Sequence, residues 1–304
     1  MAARNTVFKF NYFTSTDGKK IRYGSAAPLF VKKKGIVLLL NGRSEFMEKY
    51  NELVLELLAK RFSVYSLDWR GQGLSCRETK NRHKGYVDSY EDYINDLNLF
   101  YNEFVKNERY PVLILAHSMG GHIALRFMGQ YQPSIKKAFL VSPMIGIITS
   151  PFPVFFARFM ARKACASGFS KSYVFGGGNY HEDNITFETN NLTHDFERFS
   201  VEKKEIQKNP ELALGDVTWG WLDASFQSIE ILKTHSFVSQ IKVPVCLISA
   251  EKDTIVSTSA QKRLCSGLPD CRFFSLPGAF HEILHETDAI RQMFWDIFDR
   301  SLCR

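Results

Sequence analysis

Ala116-His117-Ser118-Met119-Gly120-Gly121 follows the apolar run Val112-Leu113-Ile114-Leu115 and precedes Ile123-Ala124-Leu125-Arg126-Phe127-Met128, a stretch of helical character. A serine between a buried strand and a helix is lifted clear of both by a sharp turn. The cramped backbone of such a turn requires small residues two positions before and two after the serine, here Ala116 and Gly120. The stretch therefore reads as a nucleophile elbow, A-x-S-x-G. The five letters alone are only moderately specific, and the strand before them and helix opening after them give the motif its weight.

Working outward, further short unalternating apolar runs lie at Ile36 to Leu40, Val64 to Leu67, Ala138 to Val141, Val245 to Ile248 and Arg272 to Leu276. Runs of this length without polar alternation predict buried parallel strands. Helical spacing separates several of them: Leu53, Val54, Leu57 and Leu58; then Tyr93, Ile94, Leu97, Tyr101 and Phe104 behind a cap at Ser89; and finally Ile290, Met293, Phe294, Ile297 and Phe298. This alternation implies a doubly wound sheet with helices on both faces. Upstream, Val7 to Ser15 and Lys20 to Ala27 flank Asp17-Gly18, a hairpin signal for antiparallel edge strands.

The alternation breaks once, after Pro143, which divides the chain into a core of residues 1–143 and 236–304 and an inserted cap of residues 144–235. In that insert Phe152, Phe155, Phe156, Phe159 and Met160 recur at helical spacing, with Arg158, Arg162 and Lys163 between them. The pattern fits a helix packed on the core or a lid over an acyl pocket at a lipid interface. Gly176-Gly177-Gly178 reads as a cap loop, since neither a strand before it nor a Lys-Ser/Thr pair after it makes a phosphate cradle.

Composition narrows the class. In 304 residues, 45% are hydrophobic and 23% charged, as in ordinary globular proteins, and the formal net charge of +7 is spread without a basic stripe, so no nucleic-acid partner is expected. The N-terminal Met1 to Phe10 lacks an apolar h-region and no long apolar span occurs, so neither a signal peptide nor a transmembrane helix is expected. The six cysteines, at 76, 165, 246, 265, 271 and 303, show no C-x-x-C pair, which predicts reduced thiols in a cytoplasmic protein without a zinc cluster or disulfide framework, and Cys246 reads as a small core residue.

A serine hydroxyl is a weak nucleophile and needs an imidazole to take its proton, itself oriented by a carboxylate. In this strand–turn–helix architecture the partners follow in the order serine, acid, histidine. The run from Val245 to Ala250 leads into Glu251, Lys252 and Asp253, and Asp253 is the favoured acid by its place in the loop. Only His281 and His285 lie beyond it; His281, right after the last strand, is the expected base, and His117 is expected to wall the turn. Two N–H donors must meet the oxyanion. The Met119 amide is one, and Arg43 in Asn41-Gly42-Arg43-Ser44-Glu45 is expected to supply the other, with Gly42 permitting the close turn.

Taken together, these stretches resemble the α/β-hydrolases of the monoacylglycerol lipase and bacterial lysophospholipase family. Asn41 to Glu45 with Lys49-Tyr50 is similar to that family's H-G-x-x-E…[RK]-Y; Asp68-Trp-Arg-Gly-Gln-Gly-Leu-Ser75 to D-x-x-G-x-G-x-S; and Gly278-Ala-Phe-His281-Glu282 with Glu286 to its histidine loop. The resemblance implies a mostly parallel eight-stranded sheet with helices on both faces and an inserted, mainly helical cap. It also implies Ser118 as nucleophile, Asp253 as acid, His281 as base and the Arg43 and Met119 amides as oxyanion hole. Asn41 departs from the family's histidine, and Ala116 from its first elbow glycine.

The expected activity is hydrolysis of a carboxylic ester of a single-acyl lipid, a lysophospholipid or monoacylglycerol, through an acyl-enzyme. Glu45, Phe152, Phe155 and Phe156 are expected to face this substrate, no cofactor or metal is expected, and the cap offers a peripheral contact at the inner membrane face. Three rival readings remain: an aminopeptidase of the same fold, with Glu182, Asp183 or Asp195 holding a free amine; a noncatalytic receptor; and a zinc peptidase, because His281-Glu282-Ile-Leu-His285 spells H-E-x-x-H. The zinc reading lacks a third ligand, since Asp288 and Arg291 occupy the positions where the extended motif needs glycine and histidine.

Overall fold

The computed structural model describes residues 7–29, 31–184 and 186–302. The readings made on Met1 to Thr6 and on Cys303 lie outside the described residues. Eight strands form one sheet: β1 (Lys9–Thr14), β2 (Lys20–Ala26), β3 (Gly35–Leu40), β4 (Phe62–Leu67), β5 (Val112–His117), β6 (Lys137–Val141), β7 (Val245–Ala250) and β8 (Cys271–Leu276). Their spatial order is β1-β2-β4-β3-β5-β6-β7-β8. The first hairpin is antiparallel and joins β4 antiparallel, and every later pairing is parallel. Gly18, in the left-handed region at φ 81°, closes the hairpin as the Asp-Gly signal predicts.

Alternate residues of the central strands feed two cores. Ile36, Leu38 and Leu40 face one side with Ile114 and Ala116, while Val37 and Leu39 face the other with Leu113 and Leu115. The first side is covered by α2 (Tyr90–Phe100) and α3 (Met119–Tyr131), the second by α1 (Asn51–Ala59) and α9 (Asp288–Leu302). Burial on both sides is why these strands read as continuous apolar runs. Ser89 caps α2 by accepting the Glu91 amide, and a π-helical turn, Tyr101–Val105, carries the predicted apolar spacing on to Phe104. Strand β8 differs from expectation. It is the sheet edge, and only Leu276 in it is buried.

Between β6 and β7 the chain runs through α4 (Val154–Ala166), α5 (Phe196–Lys208), α6 (Trp219–Leu232) and the short α7 (His235–Val238). The predicted cap is therefore mainly helical, but its members differ. Helix α6 buries Trp219, Trp221, Leu222, Phe226 and Ile229, most of them within the same apolar cluster as α2 and α3, whereas α4 buries only Ala161 and α5 only Ile206. The cysteine reading needs correction: Cys265, at the end of α8 (Thr258–Gly267), forms a disulfide with Cys271 at the start of β8. A helix followed by a strand turns back within six residues here and brings the two Cα atoms to 5.3 Å, inside bonding reach, although no C-x-x-C spacing announces it. Cys76, Cys165 and Cys246 are free, with Cys246 buried in β7 as expected. The cysteines thus no longer argue for a reducing compartment. Among the described residues, no helix is long and apolar enough to cross a membrane.

Candidate active site

Strands β3 and β5 are neighbours, yet the chain leaves β3 toward β4 on one side and returns to β5 on the other. Loops at the carboxyl ends of two such strands diverge and leave a crevice, the usual ligand position in open α/β sheets. Ser118 stands at this point, at φ 50° and ψ −116°, a conformation a non-glycine residue holds only where its surroundings enforce it. Its N–H donates to Val141 O at 3.0 Å, and its carbonyl accepts from His122 N and Met144 N. A Cβ on Gly120 would stand 2.4 Å from Leu40 O and 2.5 Å from Asn41 O, and one on Gly121 would stand 2.8 Å from Pro143 Cβ. The double glycine thus lets α3 start directly beneath the oxyanion loop, while the Ala116 methyl is accommodated fully buried.

Asp253 follows β7 and His281 follows β8. The His281 Nε2 atom lies 3.0 Å from Ser118 Oγ, and its Nδ1 lies 2.7 Å from Asp253 Oδ2. The carboxylate requires the proton on Nδ1, which leaves Nε2 as acceptor for the serine hydroxyl. The other Asp253 oxygen accepts the Ile255 and Val256 amides at 2.9 and 3.0 Å. Burial alone would raise the pKa of this carboxyl, but the His281 hydrogen bond and charge, with the two amides, outweigh it and hold it below its ordinary value. Glu251, the competing acid, accepts the Gly278 amide instead and shapes the histidine loop from outside. Glu286 does so from inside. Fully buried, it accepts the amides of Phe280, His194 and Thr287 and faces the His194 imidazole. His285 lies elsewhere, with Nε2 3.3 Å from Lys49 O and its ring against Tyr50.

The loop after β3 is held from several sides. The Gly42 N–H donates to the Glu45 carboxylate, Gln72 Nε2 donates to both Gly42 O and Glu45 O, and Trp69 Nε1 donates to Asn41 O. Gln72 and Trp69 belong to the Asp68–Ser75 stretch, so that motif supports the oxyanion loop; their individual roles were not read from the sequence. Gly73, at φ 55°, has no room for a Cβ against the Asp68 carboxyl. Asn41 is fully buried and donates weakly to Glu45 O at 3.5 Å, while its Oδ1 has no partner among the described residues. Arg43 follows the clamped Gly42, whose amide is already committed, and lines the same cavity as Ser118, while Met119 opens α3 directly after Ser118.

Over these groups lies a cavity of about 390 Å³, within the range of ligand pockets. Ser118 and His281 line it together with Met144, Ile147, Leu214, Val217, Trp221 and Ile255. One wall is charged. Lys49, its side chain 3% exposed, lies 2.7 Å from Glu282, 2.8 Å from Glu202 of the cap and 3.4 Å from Glu45. Glu45 also accepts from Tyr50 Oη at 2.6 Å and faces His117 Nδ1 at 3.2 Å. It touches the cavity as expected, but Oε2 takes the Gly42, Tyr50 and His117 contacts while Oε1 lies 3.4 Å from Lys49 Nζ with no hydrogen bond among the described residues, so it positions the loop. Burial would raise the Glu45 pKa, yet His117 and Lys49 hold it well down. Burial would lower that of His117, and the Glu45 carboxylate reverses this and raises it.

Phe152, Phe155 and Phe156 do not line the cavity. They sit on or just before α4 with their rings outward, Phe155 being 75% exposed, because α4 turns small residues such as Ala161 toward α6. The H-E-x-x-H reading fails on geometry as well. The segment is a loop followed by a 3₁₀ turn, Ile283–His285, rather than a helix, and both His281 ring nitrogens are engaged by Asp253 and Ser118. Glu45, Glu282 and His285 do converge closely enough for a cation, but the Lys49 ammonium already sits on both carboxylates.

The sheet order, the turn at Ser118 and the hydroxyl–imidazole–carboxylate chain define an α/β-hydrolase. The family described as serine aminopeptidase, S33, matches residues 31–288, and the chain belongs to that family. It is 32% identical over 270 residues to lysophospholipase L2 of Escherichia coli K12, covering 85% of this chain and 77% of that one. It is 29% identical over 286 residues to a probable lysophospholipase L2 of Haemophilus influenzae, covering 94% and 89%. Among solved structures, a monoglyceride lipase of Saccharomyces cerevisiae shares the fold with a TM-score of 0.75 at 19% identity, covering 98% of this chain and 96% of that one.

Proposed function

We propose that the protein hydrolyses the ester of a single-acyl lipid, with Ser118 as nucleophile, His281 as base, Asp253 as the carboxylate that orients it, and the Arg43 and Met119 amides as oxyanion donors. As Ser118 Oγ attacks the ester carbonyl, its proton passes to His281 Nε2, and the two amides receive the charge on the carbonyl oxygen. Collapse expels the alcohol, protonated by His281, and leaves an acyl-serine that a water activated by the same imidazole cleaves. The observation that carries this reading is the unbroken hydrogen-bonded chain from Ser118 through His281 to Asp253 at the floor of an apolar cavity. The lysophospholipase relatives support the choice of a one-chain substrate. The outward rings of α4 beside Arg162 and Lys163 support a peripheral contact with a lipid surface.

An aminopeptidase would need a free carboxylate for the substrate amine. Within the cavity wall, Glu202 is engaged by Lys49, Asp216 by the Gly178 amide and Glu182 by Gln207, while Asp195 caps α5. Turnover of lysophosphatidylethanolamine, monoacylglycerol and an aminoacyl anilide by wild type and Ser118→Ala tests the reading. The lipids are expected to be cleaved only by the wild type and the anilide poorly by either. Faster anilide cleavage, or undiminished ester cleavage by the variant, contradicts it.

A further inference from the structure

Among the described residues, Arg43 is a cation of the cavity wall with no counter-ion. The guanidinium of Arg43 donates to Ser44 Oγ at 2.9 Å and to Gly215 O at 2.8 Å, both neutral acceptors, and its carbon lies 5.2 Å from the centre of the Trp221 ring. Arginine has five N–H donors in a fixed fork. Three therefore remain, among them the Nε–H, which is buried and has no partner among the described residues. Among the described residues no carboxylate comes within ion-pair distance of Arg43, although Asp216 is near enough to act on it electrostatically. Lys203, a second wall cation without a carboxylate partner among the described residues, differs: it sits on α5, bonded to Glu182 O and over the Phe199 ring, where water can reach it. A charge taken from water without a partner is costly, and burial indeed pushes against the charged form of Arg43. Two loop-holding hydrogen bonds could be made by a neutral side chain, so they do not account for a guanidinium here.

We propose that Arg43 is the phosphate-reading group of the cavity, so that the protein favours lysophospholipids, whose phosphodiester is anionic, over neutral monoacylglycerols. This deepens, and rests on, the single-acyl ester reading. The main chain of Arg43 lies beside the ester carbonyl in that reading, and its side chain extends a few bonds further along the wall. A glycerol-based lysophospholipid separates its ester from its phosphate by a similar few bonds. The guanidinium fork matches two phosphate oxygens, which a point-like ammonium does not. Of the neighbouring acids, Glu45, Glu202 and Glu282 share the Lys49 ammonium, which offsets their charge in part, and Asp216 accepts the Gly178 amide. The discriminating cation is thus on the oxyanion loop rather than among the basic residues of α4.

The test compares kcat/KM for a lysophosphatidylglycerol and a monoacylglycerol of the same chain length in wild type, Arg43→Gln, Arg43→Lys and Lys203→Gln. The ratio of the two constants is expected to fall roughly 10- to 100-fold in Arg43→Gln, the range for losing a charge-assisted hydrogen-bond pair, and to recover in part in Arg43→Lys. Glycerol 3-phosphate is expected to inhibit cleavage of a neutral short-chain ester by the wild type and to do so much more weakly in Arg43→Gln, a readout that needs only residual activity. A ratio unchanged in Arg43→Gln, or one that falls in Lys203→Gln instead, overturns the proposal while leaving the hydrolase reading intact. Failure of the wild type to cleave either lipid overturns the reading beneath it.

Discussion

Helices α3 and α4 are both thirteen residues long, yet α3 buries every residue from Met119 to Gly129 while α4 buries Ala161 alone. The contrast extends to charge. On α3, Arg126 reaches Ser228 and Glu91, and His122 bridges Met144 O and Ser228 Oγ, so both side chains are tied to fixed partners. On α4, Phe155 and Phe159 stand more than half exposed between basic residues. The core spends its side chains on geometry; the outer cap leaves an apolar, cationic face free. Catalysis should therefore fail through core substitutions that leave the cap intact, and lipid-surface affinity through cap substitutions that leave stability intact.

The largest effect should come from Ser118→Ala, which is expected to lower kcat by about 10⁴- to 10⁶-fold without lowering the melting temperature. Turnover within tenfold of wild type would place the chemistry elsewhere. Asp253→Asn should cost on the order of 10³- to 10⁴-fold, because an amide no longer selects the tautomer with hydrogen on Nδ1; a loss confined to KM would speak against an orienting role. Lys49→Met strands Glu45, Glu202 and Glu282 without their shared cation, and urea unfolding should show about 3–5 kcal/mol less stability. A change within about 0.5 kcal/mol, typical of a surface site, would show that the wall is hydrated in solution.

Acid should also separate the two regions. Burial drives His285 down to about 4 and His122 to about 3, so both are neutral in the fold at ordinary pH. The unfolded chain binds more protons below its histidine pKa of about 6.5, so their contribution is complete above that pH and is lost as pH falls toward 4. His117, raised by Glu45 against its burial, works oppositely and loses its share as pH climbs through its elevated value. Urea unfolding between pH 4.5 and 7.5 is expected to show the acid loss, reduced in His122→Asn, whereas α4 holds no histidine or acid that could contribute. An unchanged slope in that variant would contradict the assignment. The smallest stability change, within about 0.5 kcal/mol, is expected for Phe155→Ser with Phe159→Ser, accompanied by weaker sedimentation with anionic vesicles. Undiminished vesicle binding would remove the interfacial role of α4.

The same contrast explains what the sequence discloses. Strands β3 to β7 are legible because two-sided burial writes them as apolar runs, and Ser118 and Asp253 are legible because they follow two of these, β5 and β7, whereas His281 follows the edge strand β8. Edge strand β8, with Arg272 and Ser275 exposed, is only half written. The Lys49 wall is hidden because its partners Glu202 and Glu282 lie 153 and 233 positions away, joined only by folding. Helical spacing found α4 but not its orientation: phenylalanines at three- and four-residue intervals mark an apolar face without saying whether it meets the substrate cavity or solvent. The disulfide escaped because six-residue spacing acquires meaning only once α8 and β8 fold back on each other.

The most direct measurement is peptide mass mapping after acid quench of the protein turning over a lysophospholipid of known chain length. A mass increase equal to that acyl group, on the peptide holding Ser118 and absent from Ser118→Ala, is the predicted result. An acyl group recovered on another residue, with Ser118 unmodified throughout turnover, would contradict the account.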